Sequence, residues 1–321
     1  TFIIHYSKGL KIMKRKYHYL LVFIIIMFSY LGIFCFPKVM INSSINALLI
    51  FREKLFPSIF PFFVLSFLFI NMGYPLILNK YFKNITRKIF HLSENTSFIL
   101  LMSIISGFPS GAKYIVKDYS NNYITKEEGN QLLLFTHFAN PLFVLGTCGI
   151  LLNSKRLAYK ILICQLLANI ILGILVRPKE ITISQKKEVV STTTPSLISI
   201  LPDAINETME VLIFMLGSIT IFQFFTNCFL LFTNESVLFK TIFTGIMDLT
   251  SGISLVPNLS ISIELKALLM LVFITFGSLS VHLQVINAIK STDLSYINFL
   301  IGRILETIIA VILFIAMYMV L

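Results

Sequence analysis

Apolar runs long enough to cross a membrane alternate along this chain with short basic or polar stretches, and several of those runs are cut near the middle by glycine, proline and small polar residues. Residues 17–36 form the first run, and about 20 apolar residues suffice to span a bilayer. The run follows Met13-Lys14-Arg15-Lys16 and lacks a small-residue cleavage site, so it reads as an uncleaved helix with its basic flank in the cytoplasm. Met13 and its basic neighbours resemble a natural start, so residues 1–12 are expected to be an upstream extension. Residues 42–54 are amphipathic and 56–70 strongly apolar; Pro57 and Pro61 predict a bend, whether the two are one long helix or an interfacial helix leading into a span. Lys80, Lys83, Arg87 and Lys88 then mark a cytoplasmic loop.

The interruptions are the most informative part of the pattern. Within 97–120, Ser106-Gly107-Phe108-Pro109-Ser110-Gly111-Ala112-Lys113 breaks an apolar helix: Pro109 has no N–H, two glycines permit a tight turn, and Ser110 is a good cap for a new helix. His137-Phe138-Ala139-Asn140-Pro141 interrupts 130–152, and 157–176 is a plain span. A polar linker, 177–196, leads to a second half with the same plan. A span at 204–225 comes first, and 239–256 carries Asp248-Leu249-Thr250-Ser251-Gly252. Residues 265–289 carry Phe276-Gly277-Ser278-Leu279-Ser280-Val281-His282-Leu283-Gln284, and 296–320 close the chain. Ser110-Gly111 falls on Ser251-Gly252 at an offset of 141, Phe138-Ala139-Asn140 on Phe276-Gly277-Ser278 at 138, and the plain spans on one another at 139. Three similar offsets with paired interruptions predict an internal duplication, and such pairs are the best sequence pointer to a transporter site. If 97–120 and 239–256 re-enter rather than cross, the halves are inverted and the basic clusters at 80–88, 113–126 and 177–187 all become cytoplasmic. The expected fold is therefore an all-α polytopic membrane protein with two inverted repeats and broken or re-entrant helices. Its expected divisions are 1–40 (extension and first helix), 41–176 (first repeat), 177–196 (linker) and 197–321 (second repeat).

Composition narrows this further. The chain has 321 residues, 56% of them hydrophobic and 13% charged, with mean hydropathy +0.87, which is outside the range of a soluble domain of this length. The net charge of +11 lies in short clusters between apolar runs, a pattern that suits positive-inside topology and anionic lipid headgroups rather than nucleic acid. Cys35, Cys148, Cys164 and Cys228 sit in apolar runs without CxxC spacing and read as small buried hydrophobes. No histidine pair has metal-ligand spacing, and nothing resembles a nucleophile–base pair or a phosphate loop, so no metal, cofactor or enzymatic activity is expected.

The candidate solute site follows from the breaks. Helix N-termini at Ser110-Gly111 and Ser251-Gly252 would meet near the midplane of inverted repeats, and their free N–H groups favour an anionic or strongly polar solute. Ser106, Gly107, Pro109 and Thr250 belong to the same two breaks, and so does Gly252. Lys113 either adds charge to the site or snorkels from a helix end. Asp248, the only acidic residue in 239–256, either binds a coupling proton or cation, pairs with Lys113, or is a solvated surface charge. Asn140 offers a donor and an acceptor. Ser278, Ser280, His282 and Gln284 alternate with apolar residues, which would place them on one side of an extended stretch; the alternative is hydrogen bonding between helices.

Three of these stretches resemble one family. Ser106 to Lys113 is like S-G-[FY]-P-x-G-A-K, Asn140-Pro141-Leu142-Phe143 is followed soon by Gly146, and Gly277 to Val285 is like G-x-[SL]-S-V-H-x-Q-V. In order and spacing, from about residue 45 to 320, they resemble the YlbJ/SpoVV sporulation integral membrane proteins of the nucleoside-recognition (Gate) domain group. The resemblance implies two Gate-type repeats distantly like concentrative nucleoside transporters, and a place in the mother-cell-derived membrane around the forespore. It also implies movement of dipicolinic acid toward the spore. The family usually has Glu where this chain has Asp248. The expected function is thus carriage of a small, dipicolinate-like anion through a membrane, with an oligomer compatible. The alternatives are a nucleoside-type carrier and a non-transporting organiser of the spore envelope.

Overall fold

The computed structural model describes residues 23, 27, 30–180, 196–233 and 236–319, and every regular element among them is helical. The extension at 1–12, most of the expected first helix at 17–36, and residues 181–195 of the expected linker lie outside the described residues.

Helix α1 (Pro37–Ile50) passes through a π-turn, Phe51–Leu55, directly into α2 (Phe56–Asn71). Pro57 explains the widened turn: it lacks an N–H, and its ring would clash with the carbonyl of Glu53 in a regular α-turn. Residues 80–88 are not the expected loop. They lie on an amphipathic helix, α3 (Tyr74–Phe90), which places Arg87 and Lys88 in its last turn, where cations favour the helix dipole. Helices α4 (Thr96–Ser106) and α5 (Ser110–Ser120) flank the first expected break. Helix α6 (Lys126–Phe135) opens on a Thr125/Glu128 capping box and ends at the second break, beyond which a π-turn, Phe143–Cys148, leads into Gly149–Leu151. Helix α7 (Lys155–Leu175) completes the first half.

The second half begins with α8 (Leu197–Leu231), which at 35 residues is as long as α1, the π-turn and α2 together (14, 5 and 16 residues). Next come α9 (Val237–Met247) and α10 (Leu249–Leu255), separated by Asp248, then α11 (Ile263–Phe276) and α12 (Ser278–Ile289), separated at Gly277, and finally α13 (Tyr296–Met319). The broken pairs thus occur in the same order in both halves. Helix α3 has no counterpart in the second half.

Among the described residues, four helical stretches are long and apolar enough to cross a membrane: Lys155–Leu175, Leu197–Leu231, Ile263–Ile289 and Tyr296–Met317. Helix α13 shows how they meet lipid. Ile297, Ile301, Ile304, Ile308, Ile312 and Ile315 form an exposed apolar stripe at helical spacing, while Arg303 and Glu306 are buried on the opposite face. A water-soluble helix has the reverse arrangement. The chain is a multi-pass membrane protein.

Close backbone contact holds the halves together. Helix α13 packs on α6 and α7, and a Cβ built on Gly302 would lie 2.1 Å from the carbonyl oxygen of Leu134 on α6. Gly302→Ala must push α13 off α6, so it is expected to destabilise by about 3 kcal/mol, the upper end for overpacking. Thermal unfolding of the purified protein in detergent checks this, and an unchanged Tm would refute it. On the polar surface, Lys126 at the start of α6 lies 2.7 Å from Asp293 in the α12–α13 loop, and Tyr119 donates to the same carboxylate at 2.6 Å. Those two hydrogen bonds, the Lys126 one first, hold the Asp293 carboxyl below the usual carboxylate range.

Candidate functional site

Both breaks of the first half come together in the fold. Gly107 adopts φ +75°, open to glycine and strained for other residues, and a Cβ there would sit 2.5 Å from the backbone nitrogen of Asn140. The tip of α4 is therefore seated directly on the break after α6. Phe108 N–H donates to the Phe138 carbonyl at 2.7 Å, and Asn140 Nδ2 donates to the Ser106 carbonyl at 3.3 Å. Asn140 Oδ1 accepts from Leu142 N–H at 2.8 Å, so this side chain caps the next turn as well. Gly111 lies against Ser103 and the Thr136 carbonyl, and a Cβ there would fall within 3 Å of both.

In the second half the arrangement is similar but the chemistry differs. Asp248 is the N-cap of α10: its Oδ2 accepts from Ser251 N–H at 2.8 Å and from Ser251 Oγ at 2.5 Å. Gly252 packs on Gly245 so closely that a Cβ would lie 2.1 Å from the Gly245 Cα. Ser278 Oγ donates to the Gly245 carbonyl, which ties the break at Gly277 to the end of α9. The 278–284 stretch is a regular helix, not the expected extended segment. Helical spacing divides its polar residues between two faces. Ser280 and Gln284 line a cavity, whereas His282 turns away from it. His282 Nε2 donates to the Phe276 carbonyl at 3.0 Å and Nδ1 accepts from Tyr296 Oη at 2.8 Å, so it closes the break as a satisfied core residue.

The cavity lies where the two pairs of breaks meet. One wall is polar: Ser106, Asn140, Asp248, Thr250, Ser280 and Gln284. The facing wall is apolar and comes mainly from the two long helices, Leu55, Ile59 and Phe63 on one and Met215 and Ile219 on the other. The cavity between these walls is small, about 30 Å³, room for one or two water molecules. One face suits an apolar ring and the other a set of polar substituents, as in small-molecule pockets generally.

A wider cleft lies on each side of the cavity. Cleft A holds Phe63, Phe67 and Ile70 from α2, Ser110, Lys113 and Tyr114 from α5, and Glu207 and Thr208 from α8. Cleft B holds Gln223, Asn227 and Leu230 from α8, Ser251, Ser254 and Leu255 from the α10 segment, and Asn46, Leu49 and Ile50 from α1. Along α8 the order is cleft A at Thr208, cavity at Met215 and Ile219, cleft B at Asn227. At 1.5 Å per residue, Thr208 and Asn227 are about 28 Å apart, close to the thickness of a bilayer's apolar core. Along α1 and α2 the order is reversed: cleft B at Asn46, cavity at Leu55 and Ile59, cleft A at Phe67. The lining residues correspond position by position. Phe63, Phe67 and Ile70 precede Gln223, Asn227 and Leu230 by 160 positions, and Ser110, Lys113 and Tyr114 precede Ser251, Ser254 and Leu255 by 141. The difference of 19 arises because the connection after α2, 72–95, which carries α3, is that much longer than the connection after α8, 232–236.

Four expectations need correction. Ser110 and Ser251 do not converge on one pocket; they line clefts on opposite sides of the cavity, and the convergence is of Ser106 and Phe108 with Asp248 and Thr250. Ser110 is the first residue of α5, with Pro109 before it as N-cap and no side-chain cap bond. The α10 N-terminus is not open to an anion, because the Asp248 carboxylate already occupies it. Nor does Lys113 pair with Asp248: it faces cleft A, whose other wall carries Glu207.

The spans read as plain from sequence hold a polar network. Arg303 donates to the Leu134 and His137 carbonyls at 3.0 and 3.1 Å and pairs with Glu306. Asn169 Nδ2 reaches Glu306 at 2.7 Å, and Gln165 Nε2 reaches the Ala139 carbonyl at 3.0 Å. Arg303 and Gln165 thus satisfy the carbonyls that the break after α6 releases from the helix ladder. His137 stacks on Phe108, with ring centroids 4.7 Å apart, and meets Phe299 edge-on. The signal for this network was present in the sequence as Arg303 and Glu306, spaced i, i+3 inside an apolar run.

Over 311 aligned residues, covering 85% of this chain and 76% of the other, the sequence is 26% identical to the sporulation integral membrane protein YlbJ of Bacillus subtilis (strain 168). No family model matches the chain. No solved structure matches it either.

Proposed function

We propose that this chain, which belongs to the YlbJ family of sporulation integral membrane proteins, is a carrier that moves a small polar solute through the membrane. The observation that supports this most directly is the order cleft, cavity, cleft, read in opposite directions along α1–α2 and α8. Alternating access between two inverted repeats needs one central site and a vestibule on each side. The constant offsets of 160 and 141 between the two sets of cleft residues fit that symmetry. In this reading the cavity is closed to both sides, and the solute enters when one repeat moves against the other.

Dipicolinate, the solute that the motif resemblance implies, is the first candidate. Its aromatic ring suits the apolar wall, and its carboxylates and ring nitrogen suit the donors of Ser106, Asn140, Thr250, Ser280 and Gln284. A nucleoside shares the pairing of ring and polar substituents and is the second candidate. An envelope organiser would need neither the cavity nor the matched clefts.

Reconstitution into proteoliposomes separates these readings. Radiolabelled dipicolinate is expected to accumulate at least tenfold above protein-free vesicles and to be competed by unlabelled dipicolinate but not by uridine. Competition by uridine alone would favour the nucleoside carrier. No uptake of either, from protein that elutes as a single folded species, would refute the carrier.

A further inference from the structure

We infer that the polar wall of the cavity binds a monovalent alkali cation, held by the Asp248 carboxylate with Ser280, Thr250 and Gln284 supplying neutral oxygens. Asp248 is 2% exposed and, among the described residues, has no cationic partner. It is also the only ionisable side chain lining the cavity among the described residues. A lone buried carboxylate at membrane depth is costly unless a positive charge neutralises it.

A second, independent observation points to a ligand beside it. Gln284 is 4% exposed and lines the same cavity. Its Nε2 reaches Ser218 at 3.5 Å, while its Oε1 has no hydrogen-bond donor. An orphaned amide oxygen in the same cavity as a carboxylate that has hydrogen bonds but no cationic partner calls for a positive ligand. Oxygen donors with one formal charge suit a hard monovalent ion, and among the described residues no group of three His, Cys, Asp or Glu side chains offers a transition-metal site.

The neighbouring elements leave Asp248 without another charge. Helix α8 presents Met215 and Ile219 to the cavity, α12 presents Ser280, Val281 and Gln284, and His282 is turned to Tyr296 and the Phe276 carbonyl. Lys240 on α9 lines cleft B. The side chains of Gln223 and Ser251 also line cleft B, and Gln223 Nε2 donates to Ser251 Oγ at 2.8 Å, which in turn donates to Asp248. A polar chain therefore connects the carboxylate to cleft B. The ion also resolves a conflict in the proposed function. An anionic solute beside a bare Asp248 would be repelled, whereas beside a cation it gains a partner, which would couple the two fluxes. That coupling rests on the carrier reading; the ion site does not.

The test is thermal unfolding of the purified full chain in detergent, in NaCl or KCl against choline chloride at equal ionic strength. Na⁺ or K⁺ is expected to raise Tm saturably, since a ligand of the folded state stabilises it by mass action. The rise should vanish in Asp248→Asn and need at least tenfold more cation in Gln284→Met. No cation-specific shift in the wild-type protein would overturn the inference. So would a shift unchanged in both variants, or a Tm that responds to pH between 5 and 8 through Asp248 but not to Na⁺ or K⁺. A cation shift that persists while reconstituted protein moves no solute would overturn the carrier reading and leave the ion site standing.

Discussion

Spores of a strain carrying Asn140→Leu are expected to hold less than about a tenth of the wild-type dipicolinate, at unchanged protein level in the membrane. Leucine has the same branching and number of heavy atoms as asparagine and is somewhat bulkier, so no cavity opens. It cannot accept from Leu142 N–H or donate to the Ser106 carbonyl, the two bonds that hold the α4 tip and the turn after the break in register. Each buried polar group left without a partner costs about 1–3 kcal/mol. A penalty of about 1.4 kcal/mol already shifts an equilibrium tenfold, and here it falls on the closed form of the cavity. The same change replaces one polar side chain of the cavity wall with a methyl-bearing one. The readouts are spore dipicolinate and membrane abundance from the same culture. Wild-type dipicolinate would show that the break after α6 has no part in solute movement.

Arg303→Met is expected to cost about 3–5 kcal/mol of stability, the usual effect of removing one partner of a buried ion pair. It strands the Glu306 carboxylate, which is fully buried, and leaves the Leu134 and His137 carbonyls without the guanidinium that caps them. Most of the protein should then fail to elute as a folded species in detergent. Arg303→Met combined with Glu306→Gln should recover at least half of the lost Tm, because the glutamine is neutral and its Oε1 still accepts from Asn169. A single variant as stable as wild type would show that the network is dispensable. A double variant no better than the single would place the loss in the uncapped carbonyls, not in the stranded charge.

The two predictions concern residues that differed in how legible they were. Asn140 stood out because Pro141 and the polar residues before it interrupt an apolar run, and local chain chemistry alone forces a break there. Arg303 and Glu306 were visible as ions in an apolar segment. The carbonyl partners of Arg303 lie 166 and 169 positions away and the Asn169 amide that reaches Glu306 lies 137 away, and no local pattern predicts a contact at that separation. Phe63, Met215 and Ile219 were illegible as cavity residues, because an apolar side chain that faces a cavity is identical in sequence to one that faces the core.

What the chain determined by itself was class and punctuation. Apolar length and basic clusters made it a multi-pass membrane protein, and glycine and proline placed the breaks within a few residues of where they lie. Those features depend on the conformational limits of single residues and on the energy of taking backbone out of water. Packing decided the rest. It turned 80–88 into a helix, wound 278–284 into a regular turn that separates His282 from Ser280 and Gln284, and put Asp248 on the helix N-terminus that an anion was expected to occupy. It also set Ser110 and Ser251 in opposite clefts instead of one pocket. Which face of a helix meets which neighbour is fixed by contacts between distant segments, so the position of the cavity, unlike the position of the breaks, exists only in three dimensions.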